Sequence, residues 1–222
     1  MTLLLQKWVD IAKGIFMGVK ERRALEKQVR RNQILDAARK LLLSSGIDNI
    51  SISKISKEAQ LGVGTIYFYY KNKDEIFIAL QEEGLSFLFA VIEQISNREI
   101  PPDEKIRKIA DAYYDFRYNQ EDYYHIINYF LSSPKVFFPE AQKNQIDMSG
   151  SKILVIIEQA VRAGIKTNLF EEADPKKFSI MLWGTLHGLI QFIKLENTTL
   201  QGEDHKQIYN YSVEKLISSI QK

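Results

Sequence analysis

Apolar residues recur at intervals of three and four along most of the chain, which is the spacing of an amphipathic α-helix. The first clear stripe covers residues 34–42 and ends before Gly46, a residue suited to a helix C-cap. Two short helices are predicted next, one capped by Ser51 and one over residues 65–70, with a turn at residues 61–64 between them. The alternation that is typical of strands is not found, so the pattern predicts an all-α protein.

Longer helices are predicted for the rest of the chain. Asn72, followed three residues later by Glu75, is typical of a helix start, and the helix after it reaches about Ser96. The prolines at 101 and 102 end that pattern. Five more helical stretches follow the prolines. The first carries Ile106, Ile109, Tyr113 and Phe116, and the others lie over about 122–131, 140–163, 175–195 and 203–220. The sequence thus predicts a unit of short helices followed by a bundle of longer ones.

Charge is distributed unevenly along the chain. Residues 20–73 contain 12 Lys and Arg against 5 Asp and Glu, whereas residues 74–222 contain 16 against 22. A basic block on an acidic remainder suggests a module that binds a polyanion, although a solvated basic face gives the same count. The chain has no cysteine, which excludes disulfides, thiolate metal sites and thiol catalysis. The absence of cysteine fits a cytoplasmic protein. Because no apolar run approaches the length of a membrane span, we expect no membrane partner.

The two short helices have the arrangement of a helix-turn-helix, in which the second helix enters the major groove of DNA. Ile66 and Tyr70 are four residues apart and can face the core, together with Leu61. The three aromatic residues at 67–69 cannot all face inward on so short a helix. Outward aromatics flanked by lysines suit phosphate contacts and apolar contacts with thymine methyl groups.

The stretch from Ser51 to Ile76 resembles, without a gap, the DNA-binding signature of the tetracycline-repressor (TetR) family. The matching residues are Ser51-Ile52-(x2)-Ile55-(x3)-Ala59-(x)-Leu61-(x2)-Gly64-Thr65-Ile66-Tyr67-(x)-Tyr69-Tyr70-Lys71-Asn72-Lys73-Asp74-Glu75-Ile76. The resemblance is specific over about residues 28–88 and architectural beyond them. Gln60 stands where the family usually has the turn glycine, so we expect left-handed strain there. Ser56 replaces a usual alanine and Tyr70 a usual phenylalanine.

The resemblance implies a role for each matched residue. Base edges would be met by Val63, Thr65, Tyr67 and Phe68, and the phosphate backbone by Ser51, Ser53, Tyr69 and Lys73. Gly64 would let the backbone approach DNA closely, and Lys71 adds a flanking cation. The implied function is a ligand-responsive regulator, a repressor that binds a palindromic double-stranded operator as a homodimer.

Three domains are predicted on this basis. Residues 1–22 are an N-terminal extension, residues 23–88 are the DNA-binding domain with its helix-turn-helix at about 51–70, and residues 89–222 are a regulatory and dimerisation domain. Residues 1–16 read as a translated leader, with the native start at Met17. Their apolar stripe, which includes Trp8, leaves open a true N-terminal helix that packs on the protein or on a membrane.

Aromatic residues crowd the middle helices, which predicts an apolar or aromatic small-molecule inducer between them, with no cofactor and no metal. The candidate ligand-binding residues are Tyr113, Phe116, Arg117, Tyr124, Tyr129, Phe130, Trp183 and His187. Phe137 and Phe138 continue the aromatic run. The alternative is that these rings are core packing, with a surface arginine and a satisfied histidine.

Residues 178–195 are apolar on most of the helix circumference, so this helix needs cover on two sides. One side can be the chain's own bundle and the other a second copy, as the resemblance also implies. The candidate dimer residues are Trp183, Gly184, Gly188, Phe192, Tyr209, Val213, Leu216 and Ile220. A large monomer core is the alternative.

Two other functions fit the sequence less well than regulation. An enzyme is disfavoured because His125, His187 and His205 are widely scattered, and residues 62–64 lack the third glycine and the strand of a dinucleotide site. A DNA-packaging protein would be basic throughout, whereas residues 74–222 are acidic. The sequence therefore favours a regulator that is not an enzyme.

Overall fold

The computed structural model describes residues 18–131, 140–172, 174–195, 198, 200 and 202–222. Within them the secondary structure is helical apart from one isolated bridge between Phe170 and Gln221, which confirms the all-α prediction. Over the described residues, no helix is both long and apolar enough to cross a membrane. The predictions for residues 1–17, including the start at Met17, and for Phe137 and Phe138 lie outside the described residues.

The helices are numbered here in chain order. They are α1 Val19–Ser45, α2 Ile52–Glu58, α3 Val63–Tyr69, α4 Lys73–Ser96, α5 Pro102–Asn119, α6 Glu121–Leu131, α7 Glu140–Lys166, α8 Pro175–Gln191 and α9 His205–Ser218, with 3₁₀ turns at Ile47–Asn49 and Phe192–Leu195. The chain divides into two compact units between Ala79 and Leu80, inside α4. The predicted boundary after residue 88 thus lies nine residues beyond this division.

The first unit is built on α1, which begins fifteen residues before the apolar stripe that suggested it. Residues 19–30 are exposed and mostly polar, so they carry no helical periodicity that the sequence could reveal. Gly18 precedes the helix, and its N–H donates to the Glu21 carboxylate at 3.1 Å. At the other end Gly46 adopts a φ of 70° and its N–H donates to the Leu42 carbonyl, which confirms the predicted C-cap.

The second unit is a helical bundle in which α7 and α8 pack on each other and α5 contacts both of them as well as α9. Its core is aliphatic and aromatic, with Phe178, Leu182 and Tyr209 fully enclosed. The Tyr209 hydroxyl donates to the Ala110 carbonyl at 2.8 Å, so this large side chain is buried without an unsatisfied polar atom. On the surface Arg107 of α5 donates to Glu214 of α9 through both Nε and Nη2, and this bidentate pair links the two helices.

The helix predicted over about residues 140–163 continues through Gly164 to Lys166, so its predicted end lies three residues too early. Two residues after the helix, Asn168 has a φ of 62°, and the chain turns back so that Phe170 covers Gly164. Phe170 is almost completely buried. Glycine at 164 therefore serves the packing of an aromatic ring and does not end the helix.

Gly164→Ala should destabilise the protein, because an added Cβ would overlap the ring of Phe170. Overpacking of this kind costs about 1–3 kcal/mol. Gly150 lies in the same helix with nothing within 4 Å of an added Cβ, so Gly150→Ala is the matched control. It should stabilise by up to about 1 kcal/mol through helix propensity alone. Urea unfolding of both variants checks this, and equal effects would contradict the packing role of Gly164.

Candidate functional site

The second helix of the predicted helix-turn-helix is held by two side chains. In α3, Ile66 is fully buried and Tyr70, which follows the helix, is nearly so. The Arg31 guanidinium of α1 lies over the Tyr70 ring, 4.9 Å from its centroid. The core role predicted for these two residues is therefore confirmed, while Leu61 is only half-buried.

The opposite face of α3 is apolar and exposed. Tyr67 is 54% exposed and Phe68 is 78% exposed, and Val63 lies one turn before them with a similarly open side chain. Nothing lies within 4 Å of a Cβ built on Gly64, so the backbone is accessible at this position. Thr65 and Tyr69 are half-buried at the edges of this face. The predicted base-reading residues thus share one open surface, with Thr65 the least accessible of them.

The turn between α2 and α3 is held from α1. Gln33 of α1 donates its side-chain N–H to the carbonyl of Ala59 at 2.6 Å, which satisfies a free carbonyl at the end of α2. Gln60 follows with a φ of 54°, so the left-handed conformation expected from its position is present. Ser56 is buried and bonds the Ser53 carbonyl, so it packs in place of an alanine.

The residues predicted to meet phosphate lie at helix starts. The Ser51 side chain accepts the N–H of Lys54 at 3.2 Å and caps α2, and Ser53 is exposed in its first turn. Asn72 accepts the N–H of Glu75 at 2.9 Å, which confirms the predicted cap of α4. Lys73 is the first residue of α4 and Lys71 is exposed just before it. Free N–H groups and lysines at a helix start favour anion binding.

A cavity of about 240 Å³ opens in the second unit. Four of the eight predicted ligand-binding residues line it, namely Tyr113, Phe116, Tyr124 and Trp183. The other four, Arg117, Tyr129, Phe130 and His187, do not. Arg117 instead pairs with Glu121 at 3.0 Å and lies over the ring of Tyr124, because on α5 it points to the neighbouring helix α6.

Sequence reasoning missed the remaining walls of the cavity. They are Gln81, Leu85 and Leu88 of α4, Ile127 and Leu131 of α6, and Ile146, Asp147, Gly150, Ser151, Ile153 and Leu154 of α7. The apolar members could have been found from their helical spacing, but that spacing does not separate a cavity wall from a filled core. Gln81 gave a better indication, since it is a polar residue four positions from Phe77 and Leu85 on an apolar stripe.

The tyrosine hydroxyls of the cavity are engaged by neighbouring side chains. Tyr113 shares a hydrogen bond of 2.8 Å with His187 Nδ1, and Tyr124 accepts one of 3.0 Å from the Gln191 amide, which also donates to Asn128. Burial raises the pKa of both tyrosines and lowers the pKa of His187. These three groups are therefore neutral near pH 7, and His187 acts on the cavity through Tyr113 and not as part of its wall.

A second, wider groove of about 440 Å³ lies on the α4–α5 surface. Its apolar floor includes Phe87 and Val91, and its rim carries Arg98, Lys108 and Asp115. This groove is open to solvent and has charged side chains at its rim. It would therefore remove less of an apolar ligand's surface from water than the smaller cavity does. Among the described residues, no cluster of three or more His, Asp or Glu side chains could hold a metal ion.

The predicted dimer residues fall into two groups. Tyr209, Val213 and Ile220 are buried in the chain's own core, so their side chains are not available to a partner, and Leu216 and Trp183 are half-buried against the same core. On α8 the situation is the reverse. Ile180, Gly184 and Gly188 of this helix and Phe192, the residue directly after it, are spaced by four, with Ile180 50% exposed and Phe192 44% exposed. These four residues are called the α8 stripe below.

A helix-turn-helix with an open aromatic face, followed by a helical unit with an apolar cavity, defines a DNA-binding regulator of transcription. Residues 34–80 match the model of the family described as bacterial regulatory proteins, tetR family. The fatty acid metabolism regulator protein of Bacillus subtilis is 30% identical over 89 residues, which span 40% of this chain and 46% of that protein. An HTH-type transcriptional regulator of Haemophilus influenzae is 27% identical over 140 residues, 63% of this chain and 72% of the relative.

The fold is shared with solved structures along most of the chain. The regulator FadR from Bacillus subtilis, in complex with stearoyl-CoA, superposes with a TM-score of 0.69 at 24% identity, and the match covers 84% of this chain and 97% of that one. The TetR-type DNA-binding region that the sequence resemblance indicated is therefore matched by the family model over residues 34–80, and the fold is shared with a TetR-family regulator from Thermus thermophilus at a TM-score of 0.66. These relatives are named as regulators of transcription or of fatty acid metabolism, and none of the three is named as an enzyme.

Gln60→Gly should stabilise the first unit, because glycine adopts a φ of 54° without the steric cost that a side chain bears. That cost is about 1–2 kcal/mol, and the extra backbone entropy of glycine offsets about half of it. Gln60→Ala is the control, since it removes the exposed side chain and keeps the strain. We expect a higher Tm for the glycine variant only. An equal rise for alanine would assign the effect to the side chain and contradict the strain.

Proposed function

We propose that this protein is a ligand-responsive repressor that binds a palindromic operator as a homodimer. The observation that carries the proposal is the division of α3, in which Ile66 and Tyr70 are buried while Tyr67 and Phe68 face solvent. Aromatic rings that are exposed to solvent do not stabilise a helix as short as α3, so stability does not explain their presence. Rings held rigidly beside lysines at a helix start suit a duplex, where thymine methyls and phosphates lie close together.

The α8 stripe supports the homodimer. Two adjacent turns that carry glycine leave a shallow channel along the helix, and Ile180 and Phe192 stand at its two ends. An exposed apolar strip of this kind marks an interaction surface. A two-fold partner covers it with its own copy of the same helix, since a self-complementary patch closes on itself. A two-fold protein in turn matches a palindromic site.

The ligand is proposed to enter the cavity of about 240 Å³ in the second unit. Aromatic and aliphatic side chains form most of its wall, which suits an apolar small molecule. A relative is named as a fatty acid metabolism regulator, and a structure of the same fold was solved with stearoyl-CoA. The cavity wall includes residues of α4, the helix that begins at Lys73, so a ligand here contacts the element whose start is proposed to hold phosphate. We propose that the ligand weakens DNA binding through this helix.

DNA recognition is tested with fragments that the protein selects from the genome of its source. Tyr67→Ala should reduce the preference for a selected fragment over random DNA by about 1–3 kcal/mol, because a base contact is lost. Lys73→Ala should weaken binding to both DNAs about equally, because phosphate contacts carry no sequence information. Fluorescence anisotropy measures both affinities. Phe87→Ala removes an exposed ring of the second unit and should leave them unchanged.

The salt dependence of the affinity tests DNA binding independently of the variants. Affinity for the selected fragment should fall by about a factor of 10³ or more between 50 and 200 mM salt if six or more phosphates are neutralised. Binding that does not respond to salt, or an unaltered footprint for Tyr67→Ala, would exclude α3 as the reading helix.

The homodimer is tested by sedimentation, which should give twice the chain mass of 25.8 kDa at micromolar concentration. Gly188→Arg should yield monomers, because it places a charge without a partner in the α8 stripe. Nothing lies within 4 Å of a Cβ on Gly188, so a single chain has room for the arginine and keeps its helical circular dichroism. Ser44→Arg, at an exposed position of the first unit, is the control and should remain dimeric. A wild-type monomer at that concentration would refute the interface.

A further inference from the structure

Gln81 is a polar residue enclosed in the largely apolar wall of the cavity. It belongs to α4, lines the cavity and is only 3% exposed. Phe77 and Leu85, one helical turn before and after it, are apolar. The packing of this face of α4 therefore does not by itself call for an amide.

The two ends of the Gln81 amide differ in what can reach them. The carbonyl oxygen Oε1 is fully enclosed and has no hydrogen-bond partner among the described residues. The Nε2 group has no partner among these residues either, but it is the end of the amide that remains accessible, and Gln81 lines the cavity. A ligand in the cavity can therefore meet the N–H donor of Gln81 and cannot reach its carbonyl oxygen.

An unpaired N–H in the wall distinguishes ligands that carry an acceptor from ligands that do not. Water satisfies such a donor while the cavity is open to it, and an entering apolar molecule displaces that water. A ligand without an acceptor then leaves the donor desolvated and unpaired, which is unfavourable. A ligand that places an oxygen beside Nε2 replaces the lost hydrogen bond, so the wall favours it.

The other uncharged hydrogen-bonding side chains that the structure describes at the cavity are already engaged. Tyr113 is bonded to His187, Tyr124 accepts from Gln191, and the Ser151 hydroxyl donates to the carbonyl of Met148 at 2.9 Å. Among these described residues, the Gln81 amide is the group that a ligand has to satisfy.

We propose that the ligand of this cavity has an apolar body and a carbonyl or carboxylate oxygen, which accepts a hydrogen bond from Nε2 of Gln81. This inference rests on the proposed function, since it specifies the ligand of that cavity. Ketones, esters, amides and carboxylates share this oxygen, whereas hydrocarbons of the same shape lack it. Gln81 determines specificity, because a site built to donate a hydrogen bond rejects an analogue that cannot accept it.

Isothermal titration of the whole protein at pH 8, without DNA, compares acetophenone, benzoate and 2-phenylpropene. The three probes have nearly the same shape, and 2-phenylpropene carries a methylene group where the others carry an acceptor oxygen. Gln81→Met keeps the length of the side chain and removes the N–H. In this variant the affinity for an acceptor probe, relative to that for 2-phenylpropene, should fall at least about fivefold from the wild-type ratio. A fall for acetophenone assigns a neutral carbonyl, and a fall for benzoate alone assigns a carboxylate.

An unchanged ratio for both acceptor probes, or no binding of either to wild type, would overturn the proposal. Gln94→Met makes the same change at an exposed position of α4 that lines the wider groove, and it should leave both ratios as in wild type. A fall in this control as large as that in Gln81→Met would place the probes outside the cavity and overturn the assignment.

The Tm of Gln81→Met without ligand should be at least that of wild type, because an enclosed carbonyl without a partner is gone. Gln81→Leu also removes the N–H and should show the same fall in the ratio, so the result does not depend on one replacement. Operator binding by wild type is measured separately. Its absence would refute the proposed function, whereas the titration, which contains no DNA, decides the role of Gln81.

Discussion

A seven-residue helix is too short to hold its own shape in water, and this constraint governs the DNA-binding unit. Isolated helices need about 12–15 residues before they are even marginally stable. The helix α3 therefore exists because Ile66 and Tyr70 are buried. Since these two side chains define the inward face of the helix, Tyr67 and Phe68 must face solvent. The open aromatic surface is thus a consequence of how the helix is anchored.

The turn before α3 must also be fixed, because it sets the orientation of this short helix relative to α2. The angle between two short helices is fixed only if the residues between them are fixed, and here Gln60 takes a left-handed conformation that glycine would adopt more easily. Gln33 compensates in part, because its amide bonds the Ala59 carbonyl immediately before the turn. Backbone strain at one residue is thereby held by a hydrogen bond from a helix 26 residues earlier in the chain.

The sequence predicted most of what depends on local patterns. The caps at Ser51, Asn72 and Gly46 followed from residue types at fixed spacings, and the buried pair in α3 followed from the limited circumference of a short helix. Features that depend on distant contacts were missed. The helix over 140–163 was predicted to end before Gly164 because nothing nearby in the sequence shows that Phe170 returns to cover this glycine.

The residues predicted for ligand and dimer illustrate the same limit. Tyr209 and Val213 lie on an apolar stripe, and the sequence pattern does not show whether the same chain or a second copy covers that stripe. The structure assigns both to the chain's own core and leaves the α8 stripe exposed. Tyr113 and Arg117 are four residues apart on one helix, yet one lines the cavity and the other pairs with Glu121, because α6 packs beside α5.

Gln81 shows why an unfavourable residue can be more informative than a favourable one. Leucine at this position would continue the apolar stripe of α4 and remove a buried acceptor without a partner, so the unliganded fold gains nothing evident from the amide. A polar side chain enclosed in a largely apolar wall therefore marks a position that the packing of the free protein alone does not explain.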